Sequence, residues 1–198
     1  MSEYNGGLTR EQFLFYEIRI LAGLLCDGYT GEEAIEKIQQ ENLFQFPTER
    51  MIKSIANACM RRIQALDNST LVDELAHASF DVAKQINLYA IMRQNKIVWD
   101  FMTTVIGEKF RTQDYEFERK DLNLFFLRLS EQVDEIATWS DSTVAKIKQV
   151  LTKCLIECDY LENARSTELK PVYLCPELEA GIRANNDIAA FAAFNYFE

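Results

Sequence analysis

Apolar side chains recur at steps of three and four almost from end to end of this chain, and few residues interrupt them: there are seven glycines and three prolines in 198 residues. That period belongs to helices with one buried face, not to the alternation of strands. So few breakers exclude a turn-rich β protein, and an apolar fraction of 48% excludes a disordered one. The fold class read from this pattern is all-α, in a chain long enough to bury a sizeable core.

The breaks divide the chain. A first helix is expected from a Thr9 cap to about Asp27, with Leu14, Ile18, Leu21 and Leu25 on one stripe. Asp27-Gly28-Tyr29-Thr30-Gly31 ends it and caps a short helix over 32–41. Thr48 caps a third helix to about Leu66, with Ile52, Ile55, Cys59, Ile63 and Leu66 inward. Two central helices follow, over 71–94 with a break near Ala78-Ser79 and over 96–110, the second apolar on so many sides that it reads as buried. Beyond the polar run 112–118 come a helix from about Arg119, a short helix with Val133 and Ile136, and a helix from about Ser142 to Tyr160. Residues 168–175 read as extended, with Pro171 fit only for an edge, and a final helical region covers 177–184 and 188–196. The expected organisation is an N-terminal helix-turn-helix-like module (1–67), a central helical pair (68–115), and a C-terminal winged-helix-like module with a short β wing and tail (116–198).

Enzyme signatures are missing. His77, the single histidine, shows no carboxylate relay leading across to a Ser or Cys. The glycines form neither a P-loop nor a dinucleotide fingerprint. Cys154 and Cys158 share a helix face, but that face is the apolar stripe, where a free cysteine behaves as a small hydrophobe. The five cysteines form no C-x-x-C pair, and Met1–Gly7 shows no export signal, so reduced thiols in a cytoplasmic protein are expected. The apolar block 188–194 is far too short to span a bilayer. No catalytic residue, cofactor, metal or membrane is expected.

Two helix faces carry the functional signal. On the third helix Arg50, Lys53, Asn57, Arg61 and Gln64 align opposite the apolar stripe, with Arg62 on the flank. From Ser142 the pattern repeats with Ser142, Lys146, Gln149 and Lys153, with Thr143 beside them, Lys148 flanking and Lys170 in the wing-like segment that follows. Such side chains suit phosphate contacts and major-groove edges, and each helix stands where a recognition helix would. The opposing consideration is a formal net charge of −10, from 21 Lys and Arg against 31 Asp and Glu, which repels a polyanion at long range. Yet residues 48–66 hold four basic residues against one acid, and 142–153 three against none. Exposed charges beyond a Debye length of about 8 Å are largely screened, so the local islands decide. A second reading is a protein-interaction scaffold, motivated by the net charge and the aromatic tail Phe191, Phe194, Tyr196 and Phe197.

The chain also resembles the BrxA family of bacteriophage exclusion (BREX) systems over roughly residues 8–185. The likeness lies in Tyr29-Thr30-Gly31-Glu32-Glu33-Ala34, in Glu41-Asn42-Leu43-Phe44 leading to Pro47-Thr48-Glu49-Arg50, and in the central helices around 91–101. Above all it lies in Trp139–Ile147, Leu155–Cys158 and Lys170–Leu178. The resemblance implies a non-enzymatic accessory of an antiphage system, with other BREX proteins as partners and double-stranded DNA as ligand. Likeness of the family to an RNA-binding antitermination factor leaves the choice of nucleic acid open. The C-terminal helix keeps the family pattern more fully than the third helix, where Asn57, Ala58, Cys59 and Met60 stand in places often held by Arg.

Overall fold

A computed structural model describes residue 4, residues 6–9 and residues 11–197. The stretch read above for an export signal lies partly outside them. After a 3₁₀ turn (Gly6–Thr9) come α1 (Phe15–Cys26), α2 (Gly31–Glu41), α3 (Glu49–Leu66), α4 (Ser69–His77) and α5 (Phe80–Gln94). A continuous rod follows, made of α6 (Lys96–Asp100), a π-helical segment (Phe101–Ile106) and α7 (Gly107–Arg111). Then come α8 (Arg119–Gln132), α9 (Asp134–Ala137), α10 (Asp141–Glu157), α11 (Pro176–Ala184) and a 3₁₀ segment (Ile188–Phe194). Among the described residues no helix is long and apolar enough to cross a membrane.

The helix starts follow the local chemistry. Thr30 and Glu33 form a reciprocal capping box on α2. Thr48, Asn68 and Ser140 each accept from a backbone N–H of the first turn of α3, α4 and α10. Asn42 and Asp67 end α2 and α3 in the left-handed region. The break expected near Ala78-Ser79 separates α4 from α5.

α5 is the centre of the molecule. From Ile86 to Met92 every residue is buried, and the helix packs on α1, α3, α4 and α11. The C-terminal 3₁₀ segment lies against the π-helical turn and α7, with Phe191 and Phe194 buried. A Cβ on Gly107 would stand 2.8 Å from the Ala192 Cβ, so only glycine lets the tail come this close. Tyr160 OH donates to the Ala193 carbonyl at 2.8 Å. Phe191 and Phe194 of the aromatic tail therefore belong to the core, while Tyr196 is half-buried and Phe197 stays exposed.

Three expectations are corrected. The first helix does not begin at Thr9: residues 11–14 form a non-helical strap, and Leu14 takes φ 53° before α1 starts. The reason is Arg62, which does not flank a solvated face but is fully buried. Its guanidinium donates to the carbonyls of Phe13 (2.8 Å), Glu11 (3.0 Å) and Gln12 (2.6 Å), and Asn87 Nδ2 adds a second bond to Phe13 O at 2.8 Å. These bonds turn the strap's carbonyls toward Arg62, whereas a helical course would point them along the helix axis. Finally, residues 168–175 form no strand. They contribute one antiparallel bridge, Glu116 with Glu168, carried by Phe117 N–H to Thr167 O (2.8 Å) and Leu169 N–H to Tyr115 O (2.7 Å).

Arg62→Met should lower the unfolding free energy by about 3 kcal/mol or more, because it removes three hydrogen bonds from a charged donor that tie the strap to α3. Arg61→Met next door should cost less than about 1 kcal/mol, since its ion pair with Glu11 is half exposed. Denaturant midpoints at unchanged m-value check both.

Candidate nucleic-acid interface

The α3 stripe divides along its length. Arg50 and Lys53 are exposed and have no side-chain partner among the described residues. Asn57 is half-buried and turns back on its own helix, Nδ2 donating to Lys53 O at 2.8 Å. Arg61 is held by the Glu11 carboxylate of the strap. Among the described residues, the free cations of the stripe lie in its first half.

On α10 the hydroxyls expected to reach a groove are engaged at the cap. Ser140 Oγ lies 2.9 Å from both Ser142 Oγ and Thr143 Oγ1 and accepts from the Thr143 N–H at 3.2 Å. The 3₁₀ turn Gly6–Thr9 packs against this helix, and Gly6 faces Thr143. Lys146 and Gln149 are exposed and uncommitted among the described residues. Lys153 Nζ donates to Gln12 Oε1 at 3.2 Å and lies 4.0 Å from Glu157. Lys170 stands 3.5 Å from Glu162.

The strap joins the two helices. Arg61 of α3 grips residue 11 and Lys153 of α10 grips residue 12, so the two basic faces meet across it. Beyond Lys153 a groove of about 1180 Å³ opens between α8 and α10 and is closed by residues 161–167. Gln149 and Lys153 line it, with Lys148, Arg119, Lys120 and Arg165, against Glu118 and Glu157 as its acids. Lys148 is fixed there by Asn123 Oδ1 (2.8 Å) and the Phe126 ring (5.3 Å). Lys120 pairs with Glu118 at 2.8 Å. Arg119 and Arg165 have no side-chain partner among the described residues.

Arg119, Lys120 and Arg165 escaped the sequence reading. The first two directly follow an acidic run read as a boundary, and Arg165 lies in a loop without periodicity. The groove's mouth is ordered by Lys109, nearly buried, which donates to Asp114 (2.8 Å) and the Glu116 carbonyl and faces Asp121 at 3.4 Å. This fixes the turn into α8 and holds the Asp114 carboxyl below its usual range.

His77 differs from its expectation as well. Asp73, four residues earlier on α4, sits 3.1 Å from its Nδ1, and Cys26 of α1 approaches both. Of the remaining cysteines three are core residues and Cys175 is half-buried: burial pushes Cys59 and Cys154 up to about 12, Cys175 to about 11, and Cys158 well above its ordinary value. None is a thiolate near neutral pH.

The BrxA family model matches residues 2–186. A "BREX protein BrxA" of Bacillus cereus (strain H3081.97) is 33% identical over 185 residues, 93% of this chain and 92% of the relative. A protein of the same name from Escherichia coli O9:H4 (strain HS) is 28% identical over 177 residues, 88% of this chain and 82% of the relative. The crystal structure of an uncharacterized protein from Magnetospirillum magneticum superposes with a TM-score of 0.83, covering 98% of both chains. At 22% identity that likeness speaks for the fold alone.

In the native protein at pH 8, iodoacetamide should label Cys26, which is exposed, and leave Cys59, Cys154 and Cys158 unmodified until denaturant is added. Peptide mass mapping of labelled sites checks this.

Proposed function

Since the chain belongs to the BrxA family and so is a component of a BREX antiphage system, we propose that it serves that system by binding double-stranded DNA without catalysing a reaction on it. In this reading α2 and α3 act as a helix-turn-helix. α8, α9 and α10 act as a winged helix, whose wing is the paired stretch 115–117 and 167–169. The protein works in the cytoplasm, beside other BREX proteins.

One observation carries the proposal. In a chain of net charge −10, the groove between α8 and α10 gathers Arg119, Lys120, Lys148, Lys153 and Arg165 against two acids. Lys153, which lines the groove, also bonds Gln12 of the strap, whose Glu11 pairs with Arg61 of α3. Charges close to a phosphate act at short range, while the acids spread over other helices are screened. Arg50, Lys53, Lys146, Arg119 and Arg165 need break no ion pair to meet a phosphate, and this supports them as the first contacts. Ser142 and Thr143 serve the cap first, so binding on this face rests on phosphate and depends little on base sequence.

About six phosphate contacts imply roughly a thousandfold loss of affinity between 50 and 200 mM salt. Anisotropy of a labelled duplex against salt concentration measures that slope. Reversing Lys146 and Arg119 together to Glu should make the slope shallower by about two contacts. An RNA duplex of equal length serves as competitor, and DNA recovered intact with Mg²⁺ present agrees with the absence of catalysis. No binding at 50 mM salt, or binding indifferent to salt, overturns the proposal.

A further inference from the structure

Where α1 ends, chemistry unconnected with the basic surface comes together. Cys26 closes α1, and Asp73 and His77 stand one turn apart on α4. One ligand atom of each lies within 4.8 Å of the others, and all three residues are exposed.

The scaffold beneath them is rigid. α1 and α4 pack side by side. Arg19 of α1 donates to the carbonyls of Ala76 (2.9 Å) and Ala78 (3.0 Å), on either side of His77. Its guanidinium also rests 4.9 Å from the centre of the Phe80 ring. The backbone carrying His77 is thus pinned to the helix carrying Cys26, as a preorganised site requires.

A thiol, an imidazole and a carboxylate together form a ligand set for a borderline-soft ion. Bonds of about 2.0–2.3 Å in a tetrahedral site place ligand atoms roughly 3.3–3.8 Å apart, a short closure for exposed side chains already within 4.8 Å. Mg²⁺ and Ca²⁺, which take oxygen ligands, do not suit the sulfur. Asp73 and the neighbouring Asp27 add negative charge beside the sulfur, a field that favours a dication. The plainer account, an Asp73–His77 ion pair at the C-terminal end of α4, is sound electrostatically but leaves Cys26 unexplained.

We propose that Cys26, Asp73 and His77 form a surface site for a divalent transition metal ion, Zn²⁺ foremost, with its fourth position open to water or to a ligand from outside the chain. Binding takes the thiol proton into solvent and bridges the end of α1 to α4. It thereby stiffens the turn through Gly28 (φ 94°) that leads into α2.

The full-length protein, reduced and stripped with a chelator, is titrated with Co²⁺. One equivalent should bind, with a thiolate-to-cobalt charge-transfer band and the strong visible bands of four-coordinate cobalt, and Zn²⁺ should displace it. Cys26→Ser should abolish the charge-transfer band. His77→Gln should weaken binding at least about tenfold, the lower bound for losing even an outer partner of a metal ligand. Cys175→Ser should change neither, and circular dichroism should show all variants folded, since the three ligand side chains are exposed. A wild-type protein without the band, the response of an ion pair only, overturns the proposal. So does a band that survives Cys26→Ser in the folded protein.

Discussion

The structure turns on a cation with no carboxylate partner among the described residues. Arg62 lies wholly inside the protein, and its charge is balanced by backbone carbonyl dipoles from Glu11, Gln12 and Phe13. Burial lowers its pKa below the ordinary arginine value, yet a guanidinium stays protonated in such a setting. A buried charge is tolerable only if it is hydrogen-bonded, and here the strap supplies the acceptors of both terminal nitrogens while Nε has none among the described residues, so the strap is not free to leave. The strap ends at Leu14 in the left-handed region, immediately before α1 begins.

The same strap brings the two basic helices together. It passes between α3 and α10, offering Glu11 to Arg61 and Gln12 to Lys153 on its outer side while Arg62 takes its carbonyls on the inner side. The site therefore depends on the core: the Arg62 side chain orients the segment whose neighbouring residues moderate the surface charge. Exposed cations such as Lys146 and Arg119 remain without side-chain partners among the described residues. Net charge describes the protein poorly for this reason, since short-range pairing has already spent part of each sign.

Legibility followed the range of the interaction involved. The caps at Thr30 and Thr48 are made within a single turn, and their spacing was readable. The Cys59 and Cys154 stripes were readable as core because periodicity and residue type agreed. Arg62 shows the opposite case. It stands three residues after Cys59 and four before Leu66, squarely on the buried stripe, but its charge argued for solvent and overruled its position. Asp73 and His77 were likewise at helical spacing, and Cys26, more than forty residues away, was not visible from there.

From the chain alone came an all-helical fold, the stops between helices, the inward stripes and the two locally basic faces. All of these are set by side chains three or four residues apart on one helix. Only tertiary structure decided that residues 11–14 are a strap, that 168–175 makes one bridge in place of a strand, and that Phe191 and Phe194 of the tail belong to the core. It also decided that Arg119, Lys120 and Arg165 share a groove with α10, and that a thiol, a carboxylate and an imidazole meet at the end of α1. Each of those outcomes joins residues distant in sequence, and no periodicity along the chain encodes which distant groups the folding of a common core will set side by side.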